Sequence, residues 1–142
     1  MRRPSAFLVL LALLAAAAPA RAGAPTPAVV AVGGEFNDPA IYDEVLRLAG
    51  GAAKARVGII TLGSAPAKAE KNGRFYIDKF RARGAAEVTW LSIDADRAHL
   101  AEDPALAAAA AGMNVIVLGG GEQDRYTRVL LRPDGSDTAL LA

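Results

Sequence analysis

The sequence contains no cysteine and a single histidine, His99. The lack of cysteine excludes disulfide bonds and thiolate chemistry. One histidine without cysteine cannot form a metal cluster of the usual nitrogen and sulfur type, so we expect neither a metal nor a cofactor. Two phosphate-binding patterns are also missing, namely the G-x-G-x-x-G turn of dinucleotide-binding folds and the G-x-x-x-x-G-K-[ST] loop. His99 fits no catalytic pattern, and we expect it at the surface.

Positive charge is scarce once the first 22 residues are set aside. Residues 1–22 hold three of the 16 lysines and arginines and none of the 15 acids. The remainder therefore has 13 basic and 15 acidic side chains, a formal charge of −2. This balance leaves no basic patch to neutralise phosphates, which argues against a nucleic-acid partner.

The N-terminal residues have the pattern of a secretory signal peptide. Arg2 and Arg3 precede an apolar stretch over 6–18, and Ala20-Arg21-Ala22 resembles a cleavage site. The apolar stretch is shorter than the roughly 18 residues that a spanning helix needs. We therefore expect residues 1–22 to be cleaved, with export to the bacterial periplasm or beyond the cell and no membrane association afterwards. An uncleaved membrane anchor is the alternative.

Short apolar runs alternate with amphipathic stretches after a flexible lead-in over 23–27. The runs lack strict alternation of apolar and polar residues, as is typical of parallel strands covered on both faces. Right-handed crossovers between them predict an α/β fold, a three-layer domain over 28–142 with a parallel sheet of about four strands. The four predicted strands span 28–32, 56–62, 86–93 and 114–118.

The first predicted helix follows the capping residue Asp38 and has a proline in its first turn. Its apolar face is formed by Ile41, Val45 and Leu48, which are spaced four and three apart, and Gly50 ends it. Three further helices are predicted, over 72–84, from Asp103-Pro104 onwards, and from about 121 to 131.

Aromatic residues and one serine are best explained by structural roles. The second helix is expected to place Phe75, Tyr76 and Phe80 on one apolar side, and Trp90 is expected in the core. Ser64 follows a strand but lacks the G-x-S-x-G turn that exposes a nucleophile, so we expect it to make a polar contact or to cap a turn.

Glycine turns of similar sequence, AVGGEFND and VLGGGEQD, follow two of the predicted strands. Ligands of open α/β sheets bind at the carboxyl ends of strands, so both turns are candidates for one crevice. Glycine lets the backbone approach a ligand, and amides at the start of the next helix attract an anion or an oxyanion. Alternatively, residues 119–121 serve only a tight turn, with Glu122 and Asp124 complementing the helix N-terminus and Arg125 solvated.

Four segments in order resemble the N-terminal half of the cyanophycinase and peptidase E family of serine peptidases. They are AVVAVGGEF, ARVGIITLGSAP, FYIDKFRARGAAEVTWLSID and NVIVLGGGEQDRYTRVL, and the similarity spans about residues 28–131. The last segment matches the family's Gly-Gly-Asp-Gln-x-Arg signature at 120–125, with Glu122 in place of the commoner Asp. The resemblance implies a flavodoxin-like sheet related to class I glutamine amidotransferase domains, truncated in this chain.

The resemblance also implies roles for the residues of this turn. Gly120 and Gly121 would contribute backbone amides to an oxyanion hole, and Glu122, Gln123 and Arg125 would bind substrate. An arginine recognises carboxylates in a planar fork, which suits cyanophycin, a polyaspartate backbone bearing arginine side chains. The expected partner is thus an aspartate-rich peptide, and a homodimer is an alternative to a monomer.

The family's serine nucleophile, histidine and acidic partner would follow the last matched motif, so no catalytic residue is assigned in this chain. We expect either the N-terminal portion of a longer exported peptidase or a truncated relative without activity, because covalent catalysis needs the nucleophile and its base. The alternatives are a non-catalytic α/β module that binds a small anion or peptide, and a degenerate product without a stable fold. A sheet that lacks its neighbouring strand is also expected to aggregate.

Overall fold

A computed structural model describes residues 27–33 and 37–142 of the chain. The predicted signal peptide, most of the lead-in and residues 34–36 of the first glycine turn lie outside the described residues. Two 3₁₀ segments, Ala52–Lys54 and Ala95–Glu102, accompany the regular elements. In chain order these are α1 (Pro39–Leu48), β1 (Arg56–Ile60), α2 (Pro66–Arg81), β2 (Glu87–Trp90), α3 (Pro104–Ala111), β3 (Val115–Leu118) and α4 (Gln123–Leu130).

The sheet of the described chain has three parallel strands in the order β2-β1-β3. Val57 of the central strand pairs with Val88 on one side and with Val115 on the other. The chain thus leaves β1 in one direction to form β2 and returns across it to form β3. In doubly wound sheets the carboxyl ends of strands at such a reversal are where ligands bind.

Two apolar clusters cover opposite faces of this sheet, which confirms an α/β arrangement with helices on both sides. Alternate residues of β1 divide between them, because neighbouring side chains of a strand point to opposite faces. Val57 and Ile59 pack with Tyr42 of α1 and Phe80 of α2. Ile60 packs on the other face with α4 and with the chain between β2 and α3.

The predicted strand over 28–32 is not a strand in the structure, so the sheet has three strands where about four were predicted. This segment pairs with none of the described strands. Val29 is 94% exposed, although its sequence environment is that of a buried strand. The three remaining strands fall where predicted and are shorter, with β1 ending at Ile60 and β2 at Trp90.

Helix α1 is capped as predicted, since the Asp38 carboxylate accepts a hydrogen bond of 2.9 Å from the amide of Ala40. Its buried face was predicted only in part, since Val45 packs against the core but the fully buried residues are others. Tyr42 and Leu46 are buried, whereas Leu48 is exposed. Val45 and Leu48 of the predicted stripe border a cavity beside β3.

Helix α2 begins at Pro66, six residues before the predicted start, because proline suits the first helical turn and the alanine, lysine and glutamate that follow favour helix. Phe75 is 40% exposed, so its predicted place in the core is wrong. Its ring lies 5.3 Å below the Lys79 ammonium. Helices α3 and α4 begin and end close to the predicted residues. No helix in the described ranges is long and apolar enough to cross a bilayer.

Candidate functional site

The carboxyl ends of β1 and β3 are joined by direct contact between two glycine loops, Thr61–Ser64 and Gly119–Glu122. The Glu122 amide donates a hydrogen bond of 2.9 Å to the Gly63 carbonyl oxygen. Gly121 has a φ of +139°, and a Cβ there would lie 2.0 Å from that same oxygen. Only glycine fits at 121, for both steric and conformational reasons. The turn after β3 is therefore shaped by the loop after β1.

The two predicted oxyanion-hole residues lie at the surface with their amides available. Gly120 and Gly121 are exposed, and within the described residues neither amide donates a hydrogen bond. Gly120 has open space around its Cα, since no atom lies within 4 Å of where its Cβ would be. Backbone donors at the end of a parallel strand, next to a helix N-terminus, favour a negatively charged group.

Arg125 is directed back at the protein and braces the two loops. Its Nη1 donates a hydrogen bond of 2.8 Å to the Gly63 carbonyl, and its Nη2 lies 3.0 Å from a carboxylate oxygen of Glu122. The arginine side chain is 19% exposed and the glutamate side chain 64%. This pair thus holds the turn in shape, while one edge of the carboxylate faces solvent.

Gln123 is the predicted contact residue with the greatest freedom. It is exposed at the first position of α4, and its amide group forms no hydrogen bond with the part of the chain that the structure describes. The carboxamide can donate and accept hydrogen bonds at the mouth of the turn. Gln123 therefore remains available to an incoming polar group.

Sequence reasoning missed two groups that build this site, Gly63 and Tyr126. Gly63 accepts the bonds that tie the loops together, and its own Cα leaves no room for a side chain, since a Cβ would meet Gly119 and Gly120 at 3.0 Å. The Tyr126 hydroxyl lies 2.6 Å from the Gly119 carbonyl and 3.1 Å from that of Ile60. Burial raises the pKa of Tyr126 to about 12, so the hydroxyl stays a hydrogen-bond donor at neutral pH. The signal in the sequence was the place of each residue: a glycine three residues after the end of β1, and an aromatic residue in the first turn of α4.

Ser64 and Trp90 have the structural roles predicted for them. Ser64 is 7% exposed, and its hydroxyl accepts a 2.7 Å hydrogen bond from the Asn72 side chain. The Trp90 indole packs against the core and donates a 3.0 Å hydrogen bond to the Thr61 hydroxyl. Within the described residues the side-chain hydroxyls of Ser64 and Thr61 form hydrogen bonds with Asn72, Trp90 and the Ala69 carbonyl, and none of these is a base. His99 is exposed.

A cavity of about 730 Å³ adjoins the turn on the open side of β3. Its walls are mostly apolar and include Gly120, Tyr76, Leu118 and Val32. In the described part of the chain no group of three or more acidic or histidine residues is arranged to hold a metal ion. The turn can therefore offer backbone amides and one free carboxamide beside an apolar wall.

Comparison with known proteins does not assign the chain to a family. No protein-family profile matches the sequence, and no solved structure is significantly similar to the fold.

Proposed function

We propose that the chain forms the glycine-turn half of a cyanophycinase-like serine peptidase site, in which Gly120 and Gly121 stabilise an oxyanion. The observation that supports this proposal is that Gly120 and Gly121 are exposed at the end of β3 and that their amides donate to no acceptor in the described part of the chain. A donor aimed at a developing oxyanion lowers the barrier by about 3 kcal/mol. The proposal includes the finer fold, a flavodoxin-like sheet related to class I glutamine amidotransferase domains.

In this proposal the substrate is an aspartate-rich peptide such as cyanophycin, and it meets the turn through three side chains. Gln123 would bind the peptide backbone directly, because its carboxamide is exposed and unpaired among the described residues. Glu122 would use its exposed carboxylate edge on a substrate guanidinium. Arg125 would act through the N–H groups left over from its bonds to Gly63 and Glu122.

The attacking serine and its histidine would come from residues outside this chain, so the chain by itself is proposed to be inactive. Export of the protein, and the absence of nucleic acid, metal and cofactor from its chemistry, belong to the same proposal. The acyl transfer would then depend on two parts of the protein, one supplying the nucleophile and the other the oxyanion donors.

The second candidate is a non-catalytic module that binds a small anion or a peptide end. The bracing of Arg125 favours it, because that guanidinium is committed to Gly63 and leaves backbone amides as the main donors. Such a module needs no nucleophile. It would bind a carboxylate at the same turn without turnover.

Hydrolysis of cyanophycin by the product of the gene that encodes this chain tests the first candidate. Gln123→Ala should lower kcat/KM about tenfold, which corresponds to roughly 1.4 kcal/mol of transition-state stabilisation. Asp124→Asn is the matched control, since Asp124 is exposed in the same turn and its carboxylate forms no hydrogen bond with the described residues. Absence of hydrolysis of every aspartate-rich peptide, together with acetate-induced shifts of the Gly120 and Gly121 amide resonances, would refute the peptidase and support the binding module.

A further inference from the structure

The Tyr126 side chain connects helix α4 to the last carbonyls of two strands. Gly119 donates its amide to the Ile60 carbonyl at 2.8 Å, which continues the β1–β3 ladder by one residue. The Tyr126 hydroxyl lies 2.6 Å from the Gly119 carbonyl oxygen and 3.1 Å from that of Ile60. Because the hydroxyl has one hydrogen, its main bond is the shorter one, to Gly119.

The hydrogen bond from Tyr126 to the Gly119 carbonyl also orients the amide on the other side of the same peptide unit. The peptide unit between Gly119 and Gly120 is trans, so its C=O and N–H point in opposite directions. Holding the Gly119 oxygen against Tyr126 therefore directs the Gly120 N–H away from α4. Gly120 lines the cavity beside β3, and its amide donates to nothing in the described part of the chain.

The glycines cannot fix this direction by themselves. Glycine populates both signs of φ, so a peptide unit between two glycines can rotate at little steric cost. The next unit is constrained differently, by the contact of Gly121 with Gly63. A separate restraint is thus needed for the unit that carries the Gly120 amide, and the tyrosine hydroxyl is the side-chain group that bonds to it.

We propose that Tyr126 is a positioning residue that holds the Gly119–Gly120 peptide unit so that the Gly120 amide faces the anion or oxyanion. The effect of Tyr126 on hydrolysis rests on the proposed function. The restraint that Tyr126 places on the peptide unit is independent of that function. Removing the hydroxyl leaves the ring packed in its apolar cluster and frees the carbonyl. Loss of one preorganised oxyanion donor lowers kcat about 10²–10³-fold, and partial loss of its orientation lowers it less.

Tyr126→Phe in the full chain is the test, read first by NMR. The Gly119 carbonyl and Gly120 amide resonances should move, and the shift of the Gly120 amide caused by acetate should shrink at least severalfold. Tyr42→Phe is the matched control, since burial likewise raises the pKa of Tyr42 to about 12, and its ring packs on the opposite face of the sheet. Tyr42→Phe should leave these resonances unchanged.

Kinetics of the gene product then separate this inference from the peptidase proposal. Tyr126→Phe should lower kcat about tenfold or more with little change in KM, whereas general loosening of the fold would affect both. If wild-type protein hydrolyses no peptide but the resonances respond as expected, the positioning role stands and the peptidase proposal fails. If Tyr126→Phe leaves the Gly119 carbonyl and Gly120 amide resonances as in wild type, the positioning role is overturned whatever the activity.

Discussion

At the scale of single residues, the contact between Gly63 and Gly121 decides the shape of the candidate site. A Cβ on Gly121 would lie 2.0 Å from a carbonyl oxygen, at a φ that other residues rarely adopt, whereas Gly120 has free space and no positive φ. These neighbouring glycines therefore allow a matched comparison. Their different surroundings could not be read from the sequence, where the three glycines are equivalent.

Gly121→Ala should destabilise the protein by about 2–4 kcal/mol, because either the loop after β1 or the turn itself must move. Gly120→Ala should change the free energy of unfolding by less than about 0.5 kcal/mol. Urea denaturation of the two variants beside wild type measures both values. Equal stability of the two variants would mean that the loops do not pack as described.

Asp94 is a second residue for which the structure makes a specific prediction, here that it makes the stability of the protein depend on pH. Its carboxylate is buried, accepts bonds from the Asp96 and Arg97 amides and pairs with the Arg97 guanidinium at 2.6 Å. Burial raises the pKa of Asp94, but the bonds and charge of Arg97 outweigh it and hold the pKa below the ordinary 3.8. A depressed pKa stabilises the folded state above the ordinary value, and this stabilisation disappears as the pH falls through the folded-state pKa.

Asp94→Asn should keep the helix cap and lose the ion pair, at a cost of about 1–2 kcal/mol at pH 7, since Arg97 is partly exposed. Below about pH 4 the melting temperature of the wild type should fall more steeply than that of the variant, because only the wild type has a carboxyl group to protonate at position 94. Thermal melts from pH 2 to 7 provide the test, with the exposed Asp96→Asn as control. Parallel curves for wild type and Asp94→Asn would contradict the assigned pairing.

At the scale of elements, the sequence predicted the three strands and four helices of the described chain, because apolar runs and helical periodicity are local signals, although the start of α2 was placed six residues late. Prediction from the sequence was wrong where contacts between distant parts of the chain determine the structure. The run over 28–32 reads as a buried strand, but none of the described strands pairs with it. Phe75 has the spacing of a core residue, yet its helix turns that side chain outward.

The candidate site, too, was predicted only in part. The turn after β3 was located from its glycines and polar residues, and Gly120 and Gly121 do present free amides within the described chain. The bond from Arg125 to Gly63 joins residues 62 positions apart in sequence, so no local pattern reveals it. An arginine in a motif is equally suited to substrate and to structure, and only distances distinguish the two.

Helix α2 approaches β2 at Gly73, which explains a glycine in the middle of a helix. A Cβ there would meet the Trp90 ring at 2.8 Å, and that ring is held by its bond to Thr61. Gly73→Ala gains about 1 kcal/mol of helix propensity, but the overpacking costs about 1–3 kcal/mol. We expect a net loss of stability.

A double-mutant cycle with Trp90→Phe measures this contact directly. The smaller ring should relieve the clash, so Gly73→Ala should be neutral or stabilising in the Trp90→Phe background. Additive losses from the two substitutions would show that the helix and the strand do not meet at this point. Chemical denaturation of the four proteins is sufficient.

At the scale of the whole molecule, β3 is an edge strand of the described sheet that exposes apolar side chains. Its outer edge pairs with none of the described strands, and Ile116 and Leu118 are 46% and 58% exposed. Apolar cavities of about 730 and 430 Å³ adjoin it. An exposed apolar edge strand is a template for association.

We therefore expect the purified chain to self-associate at micromolar concentration, and Leu118→Lys to reduce this association. Charge on an edge strand opposes pairing with another chain. Phe75→Lys is the control, since Phe75 is 40% exposed on α2 and lines neither of these cavities. Sedimentation velocity over a concentration series distinguishes the variants, and a monodisperse wild-type monomer would be the contrary result.

The order of the strands along the chain also determines the order in which the sheet can assemble during synthesis. Val57 of β1 can pair with Val88 once β2 has been synthesised, but it can pair with Val115 only after β3 has followed. At about 5–20 residues per second, a ribosome needs several seconds to add β3 after β1 has been made. Throughout this interval the central strand has one bare edge, and the nascent chain stays partly open. For the export that we propose, late closure of the sheet would leave the chain able to pass through a translocation channel until the last strand has been made.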